Sequence, residues 1–308
     1  MTMENAVKKE RGKISIWIQA VRAFSFTASS IPVLVGAALA LNYPGKVLWI
    51  LFPVVYVAAL LIHAATNLVS DYFDYRKEVD KNYTFGSSGV IVQGLLSAKS
   101  VLVGGLVLFG ITAALGVILI AVRGVPILIL GLIGIVGGYF YTGHPFGYKY
   151  FGLGDFLVFI LMGPLMVIGS YFCFTGTYHH QVLWVSLPVG FLVSAILQAN
   201  NVRDIKHDTE AGITTFENVL GTKGAKAFYY FAVVSAYISV GVMILFKVLP
   251  LWSLLVLLTL PLAIKIIGKM SAGNDPQALA TLDVETAQLH FGFGLLLTIS
   301  LVVYRFIS

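Results

Sequence analysis

Two short segments of the sequence carry acidic and amide side chains at intervals of about one helical turn. Asn67, Asp71 and Asp74 follow one another at steps of four and three residues, and Glu78 continues the pattern. At about 100° per residue, these four positions fall on one narrow face of a helix. Asp80 departs from this spacing and is predicted to lie past the helix end.

The second segment repeats this arrangement further along the chain. Asn200, Asp204 and Asp208 are separated by four residues each, again on one helix face. Asn67 and Asn200 are 133 residues apart, and so are Asp71 and Asp204. Each segment ends an even-numbered apolar run, so both are predicted to reach the same side of a membrane.

Carboxylates stacked one turn apart repel each other and are costly near a membrane unless a cation neutralises them. Oxygen ligands suit a hard divalent ion, and Mg²⁺ fills its remaining positions with phosphate oxygens. Two facing acidic sets therefore predict Mg²⁺ ions that bridge a diphosphate, with Lys81, Arg203 and Lys206 as direct contacts. The alternative is a solvated loop that pairs with its own basic residues, and the match between two motifs disfavours it. The spacing makes Asn67, Asp71, Asp74, Asn200, Asp204 and Asp208 the candidate metal ligands.

The elements that must position these residues are membrane helices. The 308 residues are 58% hydrophobic and 11% charged, with a mean hydropathy of +0.90, whereas soluble domains average about 25% charged residues. This composition disfavours a soluble enzyme, a disordered scaffold and a nucleic-acid-binding domain. The net charge of +6 does not favour nucleic acid either, because the basic residues form short clusters between apolar runs.

About 20 apolar residues cross a bilayer as a helix. Nine such spans are predicted, at about 22–42, 47–70, 100–121, 125–142, 153–175, 182–202, 226–246, 249–268 and 287–306. The predicted fold class is therefore an all-α polytopic membrane protein. The matched motifs suggest one domain over 1–308, built from quasi-repeats at about 14–142 and 143–268 plus the last helix, 287–306.

Charge predicts how the chain is oriented. With nine spans, sixteen of the 20 lysines and arginines fall on the N-terminal side, including Lys8, Lys9 and Arg11. The positive-inside rule makes that side cytoplasmic, and all 14 acidic residues lie there as well. We expect a protein of the cell inner or plasma membrane, with its site and N-terminus facing the cytoplasm. Neither a nucleic acid nor an obligatory protein partner is expected.

At these residues the sequence resembles the UbiA superfamily of intramembrane aromatic prenyltransferases, whose pattern is one Asn/Asp-rich motif after the second helix and another after the sixth. Within the superfamily it looks most like the 1,4-dihydroxy-2-naphthoate prenyltransferase branch of menaquinone synthesis. The stretches that carry the resemblance are RAFSFTASSIPVLVGAALA (22–40), NLVSDYFDYRKEVDK (67–81), YTGHPFGYKYFGLGDFLVFILMGPLMVIGSYF (141–172), NNVRDIKHDTEAGITTFENVLG (200–221) and, more weakly, ETAQLHFGFG (285–294).

Four positions depart from the usual pattern of that branch. Ser70 stands where Asn is usual and Glu78 where Gly is usual. Ala23 replaces a Pro, and Ile213 replaces a Lys. The acceptor therefore stays open between 1,4-dihydroxy-2-naphthoate, 4-hydroxybenzoate, homogentisate and geranylgeranylglyceryl phosphate.

The resemblance implies nine helices around a central cavity, with metal-bound diphosphate at the cytoplasmic mouth and an apolar tunnel open to lipid. The implied activity is Mg²⁺-dependent transfer of a prenyl group from a polyprenyl diphosphate to an aromatic acceptor. The residues implied as catalytic are Asp71, Asp74, Asp204 and Asp208. The implied metal ligands are Asn67, Asp71, Asp74, Asp80, Asn200, Asp204 and Asp208. The implied contacts with diphosphate or acceptor, including rings that face a carbocation, are Arg22, Lys81, Tyr139, Tyr141, Lys149, Arg203 and Lys206.

Two other functional classes are alternatives to a prenyltransferase. An ion-coupled secondary transporter would use buried acids near the bilayer midplane, at broken helices of inverted repeats. The acids here are predicted at helix ends, and the repeats are predicted to be parallel. A non-catalytic membrane scaffold would not need two matched acidic stripes, so the prenyltransferase is favoured.

Overall fold

The structure is a computed structural model, and it describes residues 12–81, 86–273 and 275–307. Lys8, Lys9 and Arg11, which contribute to the predicted charge asymmetry, lie outside these ranges. Nearly all of the described backbone is helical, and one isolated bridge joins Phe151 to Thr214. The all-α fold class is therefore confirmed.

Eleven α-helices make up the described part of the chain. They are α1 (Lys13–Ala20), α2 (Thr27–Leu41), α3 (Phe52–Arg76), α4 (Ala98–Arg123), α5 (Val125–Tyr139), α6 (Gly154–Ile160), α7 (Met166–Thr175), α8 (His180–Glu210), α9 (Phe216–Leu245), α10 (Leu260–Ala272) and α11 (Leu282–Ile307). A π-helical turn, Leu161–Leu165, joins α6 to α7. Short 3₁₀ segments precede α2, α3 and α10.

The described residues form eight continuous helical stretches long and apolar enough to cross a membrane, so the protein is an integral membrane protein. Four of them join 3₁₀ or π segments to α-helices: Ala23–Leu41, Trp49–Arg76, Gly154–Thr175 and Leu251–Ala272. The fourth predicted span, 125–142, is not confirmed, because α5 ends at Tyr139 and has only 15 residues. At 1.5 Å per residue, α5 is about 22 Å long. That is shorter than the hydrocarbon core of a bilayer, about 30 Å thick.

The first acidic motif differs from its predicted form at one residue. Helix α3 ends at Arg76, and Glu78 lies beyond it, exposed, with a φ of 58°. The N–H of Val79 turns back to the carbonyl of Asp74 at 2.9 Å and caps the helix. The predicted place of Glu78 on the polar stripe is therefore wrong. Asp80 lies past the helix end, as predicted.

Helices α2 and α8 form the inside of the bundle. Helix α2 packs against α3, α7 and α11, and α8 packs against α9 and α11. Helix α2 and the part of α8 that precedes its acidic motif are mostly apolar on all sides, which is typical of a helix surrounded by other helices. Helices α3 and α8 have 25 and 31 residues, or about 38 and 46 Å. Because both exceed the bilayer core, their acidic last turns extend beyond it.

Helix α8 comes very close to the π turn at two glycines. A Cβ built on Gly163 would lie 2.5 Å from the Cα of Gly190, which is backbone and cannot rotate away. We therefore expect Gly163→Ala to lower the free energy of unfolding by about 1–3 kcal/mol through overpacking. The measurement is the midpoint of thermal unfolding in detergent. Gly110→Ala on α4 is the matched control, because its Cβ would meet nothing within 4 Å, and equal midpoints would contradict the prediction.

Candidate functional site

The two acidic motifs lie at the same end of the bundle. Ser88 donates to Asp71 through its hydroxyl and also through its backbone N–H, the latter at 3.3 Å. A Cβ on Gly86 would lie 3.2 Å from Oδ2 of Asp204. One short stretch of chain, 86–88, therefore touches both motifs, and the structure brings the predicted acidic residues into one region.

In the first motif, each buried carboxylate contacts a basic side chain. Asp71 is 2% exposed and forms an ion pair with Arg22. Asp74 is 1% exposed and accepts from Nζ of Lys149 at 2.8 Å and from the hydroxyl of Tyr150 at 2.9 Å. Such charge-assisted hydrogen bonds are about twice as strong as neutral ones, so they fix the orientation of both acids.

The protonation states of this motif follow from burial and from the neighbouring charges. Burial disfavours the cationic forms of Arg22 and Lys149, but the carboxylates of Asp71 and Asp74 outweigh it and raise the pKa of both side chains. Burial, followed by repulsion from Asp74 and Asp71, raises the pKa of Asp80 to about 8. The carboxylates are thus too crowded for all to ionise easily, and a further cation would favour their charged forms.

The second motif is organised by one arginine. Arg203 is 3% exposed and contacts both oxygens of Asp204, from Nε at 3.0 Å and from Nη2 at 2.8 Å. The same Nη2 donates to Oδ1 of Asn200 at 2.7 Å, and Nη1 lies 3.4 Å from Asp283 on α11. Arg203 therefore holds the motif in place and connects it to α11. Asp208, one turn further on, is 6% exposed.

The donor set fits Mg²⁺. Among the described residues, no three Asp, Glu, His or Cys side chains converge into a complete metal site. Mg²⁺ does not require one, because it commonly binds one or two carboxylates and completes its shell with water and phosphate oxygens. The donors are all oxygens, and the carboxylates outnumber the basic side chains that contact them. The carboxylates are Asp71, Asp74, Asp80, Asp204 and Asp208, and the basic side chains are Arg22, Lys149 and Arg203.

The two asparagines differ in which amide atom is already used. The amide nitrogen of Asn67 donates to the carbonyl of Val21 at 2.9 Å and to Oγ of Ser25 at 3.3 Å. Its oxygen, the atom that a hard cation binds, is thereby left for a ligand. The oxygen of Asn200 already accepts from Arg203, which leaves one lone pair.

A cavity of about 500 Å³ begins beside these motifs and continues between apolar helices. Its polar end is lined by Arg22, Asn67, Tyr141, Tyr148 and Asn200. Further in, its walls come from α2 to α8 and are almost entirely apolar. Val117 on α4 and Leu132 on α5 line the cavity and are also 63% and 53% exposed. The cavity therefore reaches the lipid-facing surface between α4 and α5.

Five of the predicted substrate contacts are not part of the cavity lining within the described ranges. Lys149 and Arg203 contact the acidic motifs instead, and the other three are Lys81, Tyr139 and Lys206. Tyr139 packs against the rings of Phe73 and Phe109, with centroids 6.3 and 6.5 Å apart. Lys81 and Lys206 are exposed. Lys206 follows Asp204 by two residues, which places it on the opposite face of α8. The structure therefore does not bring Tyr139 or Lys206 to the site.

Three residues that contact the acids were not predicted from the sequence, and the first, Ser70, donates its hydroxyl to Asp74 at 3.1 Å from one turn earlier on α3. The other two are Ser88 and Tyr150. Ser88 belongs to the Gly-Ser-Ser-Gly run 86–89, and this run of small polar residues was the one available signal. Tyr150 directly follows Lys149, and both contact Asp74 from the same 3₁₀ turn. Nothing in the spacing of Tyr150 pointed to Asp74, because the contact joins residues 76 positions apart.

Comparison with known proteins gives concordant results. Residues 29–304 match the UbiA prenyltransferase family. The chain is 33% identical to a 1,4-dihydroxy-2-naphthoate octaprenyltransferase of Bacillus subtilis, over 97% of this chain and 95% of that protein. It is 30% identical to human UbiA prenyltransferase domain-containing protein 1, over 95% of this chain and 85% of that protein.

Solved structures show the same fold. A UbiA homolog from Archaeoglobus fulgidus bound to GPP and Mg²⁺ superposes with a TM-score of 0.65 and 14% identity, covering 92% of this chain and 100% of that one. An apo UbiA homolog from Aeropyrum pernix K1 has a TM-score of 0.64 at 17% identity, covering 90% and 97%. With a family match over most of its length and a helical bundle of the same architecture, the chain belongs to the UbiA prenyltransferase family and is a membrane-embedded prenyltransferase.

Proposed function

We propose that the protein transfers a polyprenyl group from its diphosphate to 1,4-dihydroxy-2-naphthoate in a Mg²⁺-dependent reaction. The observation that carries this proposal is an apolar cavity open to lipid whose polar end adjoins two acidic motifs. The name of the B. subtilis relative supports the naphthoate acceptor. The A. fulgidus homolog bound to GPP and Mg²⁺ supports the donor and the metal.

The charged end of the cavity is suited to a diphosphate. Asp71, Asp74, Asp204 and Asp208, with the amide oxygens of Asn67 and Asn200, would hold the Mg²⁺. When bound, the metal neutralises these acids and stabilises the negative charge of the leaving diphosphate. Lys149 forms an ion pair with Asp74 of the first motif, and the charge of Asp208 in the second motif also acts on it. It is placed to contact a diphosphate oxygen directly.

The cavity wall next to this charged end is aromatic. The allylic C–O bond breaks with its electron pair remaining on the diphosphate, which leaves a carbocation on the prenyl chain. Tyr141 and Tyr148 line the cavity with ring centroids 5.5 Å apart, and aromatic faces stabilise cations. An electron-rich ring carbon of the acceptor then forms the C–C bond. In the naphthoate, loss of the carboxylate as carbon dioxide returns the electron pair that restores aromaticity.

Arg22 is the basic residue at the boundary between the acids and the cavity. It pairs with Asp71, lines the cavity, and keeps its Nε buried without a hydrogen-bond partner among the described residues. A guanidinium has five donors, so Arg22 retains capacity to bind a second anion. We assign it to the diphosphate or to the carboxylate of the acceptor.

The acidic end faces the cytoplasm in this proposal. Sixteen of the 20 lysines and arginines lie on that side by sequence, which follows the positive-inside rule. Both substrates would then meet at the inner leaflet of the plasma membrane. A long polyprenyl chain already resides in that membrane, because burial is favourable by about 0.8 kcal/mol per methylene.

The direct test is product formation by the purified protein in detergent with a short prenyl diphosphate. Dihydroxynaphthoate, hydroxybenzoate, homogentisate and geranylgeranylglyceryl phosphate are supplied in turn, and products are identified by mass spectrometry. We expect a prenylated, decarboxylated naphthalene product, whose formation stops with a chelator and returns when Mg²⁺ is restored. Product from another acceptor alone would contradict the naphthoate assignment, and activity that survives chelation would contradict the role of Mg²⁺.

A further inference from the structure

The turn that carries Arg22 has an unfavourable backbone conformation. Arg22 adopts a φ of 54° and a ψ of 55°, in the left-handed region that residues with a Cβ rarely occupy. Such a conformation persists only where the surrounding structure enforces it, and it is common at functional sites. The contacts that hold this turn are therefore informative about how Arg22 is positioned.

Ser25 closes the turn from within. Its backbone N–H donates to the carbonyl of Arg22 at 2.9 Å, and its hydroxyl donates to the same carbonyl at 2.8 Å. Two side chains of α3 approach the hydroxyl oxygen from the other side. Nε2 of His63 lies 3.2 Å away and Nδ2 of Asn67 lies 3.3 Å away.

These distances determine the tautomer of His63. A hydroxyl has one proton and two lone pairs. Ser25 already donates its hydroxyl proton in the hydrogen bond to the Arg22 carbonyl. Oγ of Ser25 must therefore accept from both Asn67 and His63. Nε2 of His63 accordingly carries a hydrogen.

The other ring nitrogen completes the chain. Oγ of Ser29 lies 2.7 Å from Nδ1 of His63. The ring is 9% exposed, and no acidic side chain in the described ranges forms an ion pair with it. A neutral ring with hydrogen on Nε2 has a lone pair on Nδ1, which accepts the proton of Ser29. The hydrogen bonds thus run in one direction, from Ser29 through His63 and Ser25 to the Arg22 carbonyl.

We propose that His63 is a positioning residue: held as the Nε2–H tautomer by Ser29, it fixes Ser25 and so locks Arg22 between Asp71 and the cavity. His63 also lines the cavity, but both of its ring nitrogens are engaged by hydroxyl groups. It therefore acts through the Arg22 turn. This inference rests on the proposed function only in assigning an anionic substrate to Arg22.

The kinetic test compares two amides at position 63. Glutamine places its amide nitrogen at about the reach of Nε2, whereas asparagine places it at about the reach of Nδ1. We expect His63→Asn to lower kcat/KM for prenyl transfer by about 10- to 100-fold, as a displaced binding group does. We expect His63→Gln to stay within about threefold of the wild type, because it still donates to Ser25. Equal losses in the two variants would overturn the proposal. A residue that only filled space would lose activity in step with the thermal midpoint, so a loss in His63→Asn that is fully accounted for by a lower midpoint would also overturn it.

A double-mutant cycle tests whether His63 acts through Ser25. Ser25→Ala should lower kcat/KM about as much as His63→Asn. The double variant should be no worse than either single variant, because each substitution interrupts the same series of hydrogen bonds. Additive losses would overturn the proposal. The matched control is Tyr56→Phe, which removes a 3.0 Å hydrogen bond to Ser30 between the same two helices. It should leave kcat/KM within about twofold and the thermal midpoint close to that of His63→Gln.

A spectroscopic readout separates this inference from the proposed reaction. In protein labelled with ¹⁵N-histidine, two-bond couplings to the ring protons report which nitrogen carries hydrogen. The chain has six histidines, so the signal of His63 is assigned by its absence in His63→Gln. We expect Nε2–H in the wild type and a tautomer mixture in Ser29→Ala. Hydrogen on Nδ1 in the wild type would overturn the proposal even in an active enzyme, whereas lack of prenyl transfer alongside Nε2–H would count against the proposed reaction alone.

Discussion

Asp71→Asn is expected to lower kcat/KM for prenyl transfer by about 10²- to 10³-fold, the range found when a group that stabilises transition-state charge is lost. Asp71 is a buried carboxylate that pairs with Arg22 and lies in the motif assigned to the metal. The asparagine keeps the size and one oxygen but removes the negative charge. The Mg²⁺ would bind more weakly, and Arg22 would lose the anion that fixes its orientation. Initial rates measured over a range of Mg²⁺ concentrations should show both a lower maximum and a higher half-saturating concentration.

Glu78→Gln is the matched control for this prediction. It removes the same charge from a residue seven positions later, which the sequence spacing placed on the same polar stripe. The structure instead places Glu78 beyond the end of α3 and exposed to solvent. Its kcat/KM should remain within about twofold of the wild type, as is usual for surface substitutions away from a site. Comparable losses in the two variants would show that bulk negative charge, and no specific ligand, accounts for the effect of Asp71.

Lys149→Met is expected to lower kcat by about 10²-fold or more, because Lys149 pairs with Asp74 of the first motif and also interacts with the charge of Asp208 in the second. Its Nζ donates to Asp74 at 2.8 Å. Since burial is outweighed by the field of Asp74, the pKa of Lys149 is raised and the side chain stays cationic at neutral pH. Methionine preserves the apolar stem but cannot stabilise a leaving diphosphate. The check is single-turnover kinetics with the prenyl diphosphate, which isolates the chemical step from product release.

Lys99→Met serves as the control for loss of one positive charge, since Lys99 is exposed at the start of α4. It should leave the single-turnover rate within about twofold of the wild type. Lys149→Met also leaves Asp74 with one partner fewer, so its thermal midpoint in the absence of Mg²⁺ should fall. If the single-turnover rate of Lys149→Met equals that of Lys99→Met, Lys149 has no part in diphosphate departure.

The fold class could be predicted from the sequence because the bilayer imposes it. Backbone groups in hydrocarbon must bond internally, so long apolar runs such as that of α4 have to be helices. The number of spans was less secure. Helix α5 is apolar throughout but ends at Tyr139. Hydropathy alone does not show where a helix ends within an apolar run. The division into two quasi-repeats stays a prediction.

The site could be predicted in part. Carboxylates at steps of three and four residues indicated a polar helix face, and the structure places Asp71 and Asp74 on α3 and Asp204 on α8 at one end of the bundle. The helical spacing predicted that Glu78 continues the polar face of α3. A C-terminal cap instead ends the helix at Arg76, two residues before Glu78. Lys206 was predicted to contact the diphosphate because of its charge alone, although its position on α8 directs it away from Asp204.

The sequence by itself determined that the chain spans a membrane as helices and that two of these helices end in acidic motifs, because periodicity and composition are local properties that a neighbouring helix does not alter. Only the tertiary structure decided which cation contacts which acid, that Ser88 and Tyr150 join them, and that His63 and Ser25 hold the turn of Arg22. Ser88 and Asp71 are 17 positions apart, Arg22 and Asp71 are 49 apart, and Tyr150 and Asp74 are 76 apart. They depend on how helices pack and where loops cross, which no spacing within a single segment encodes.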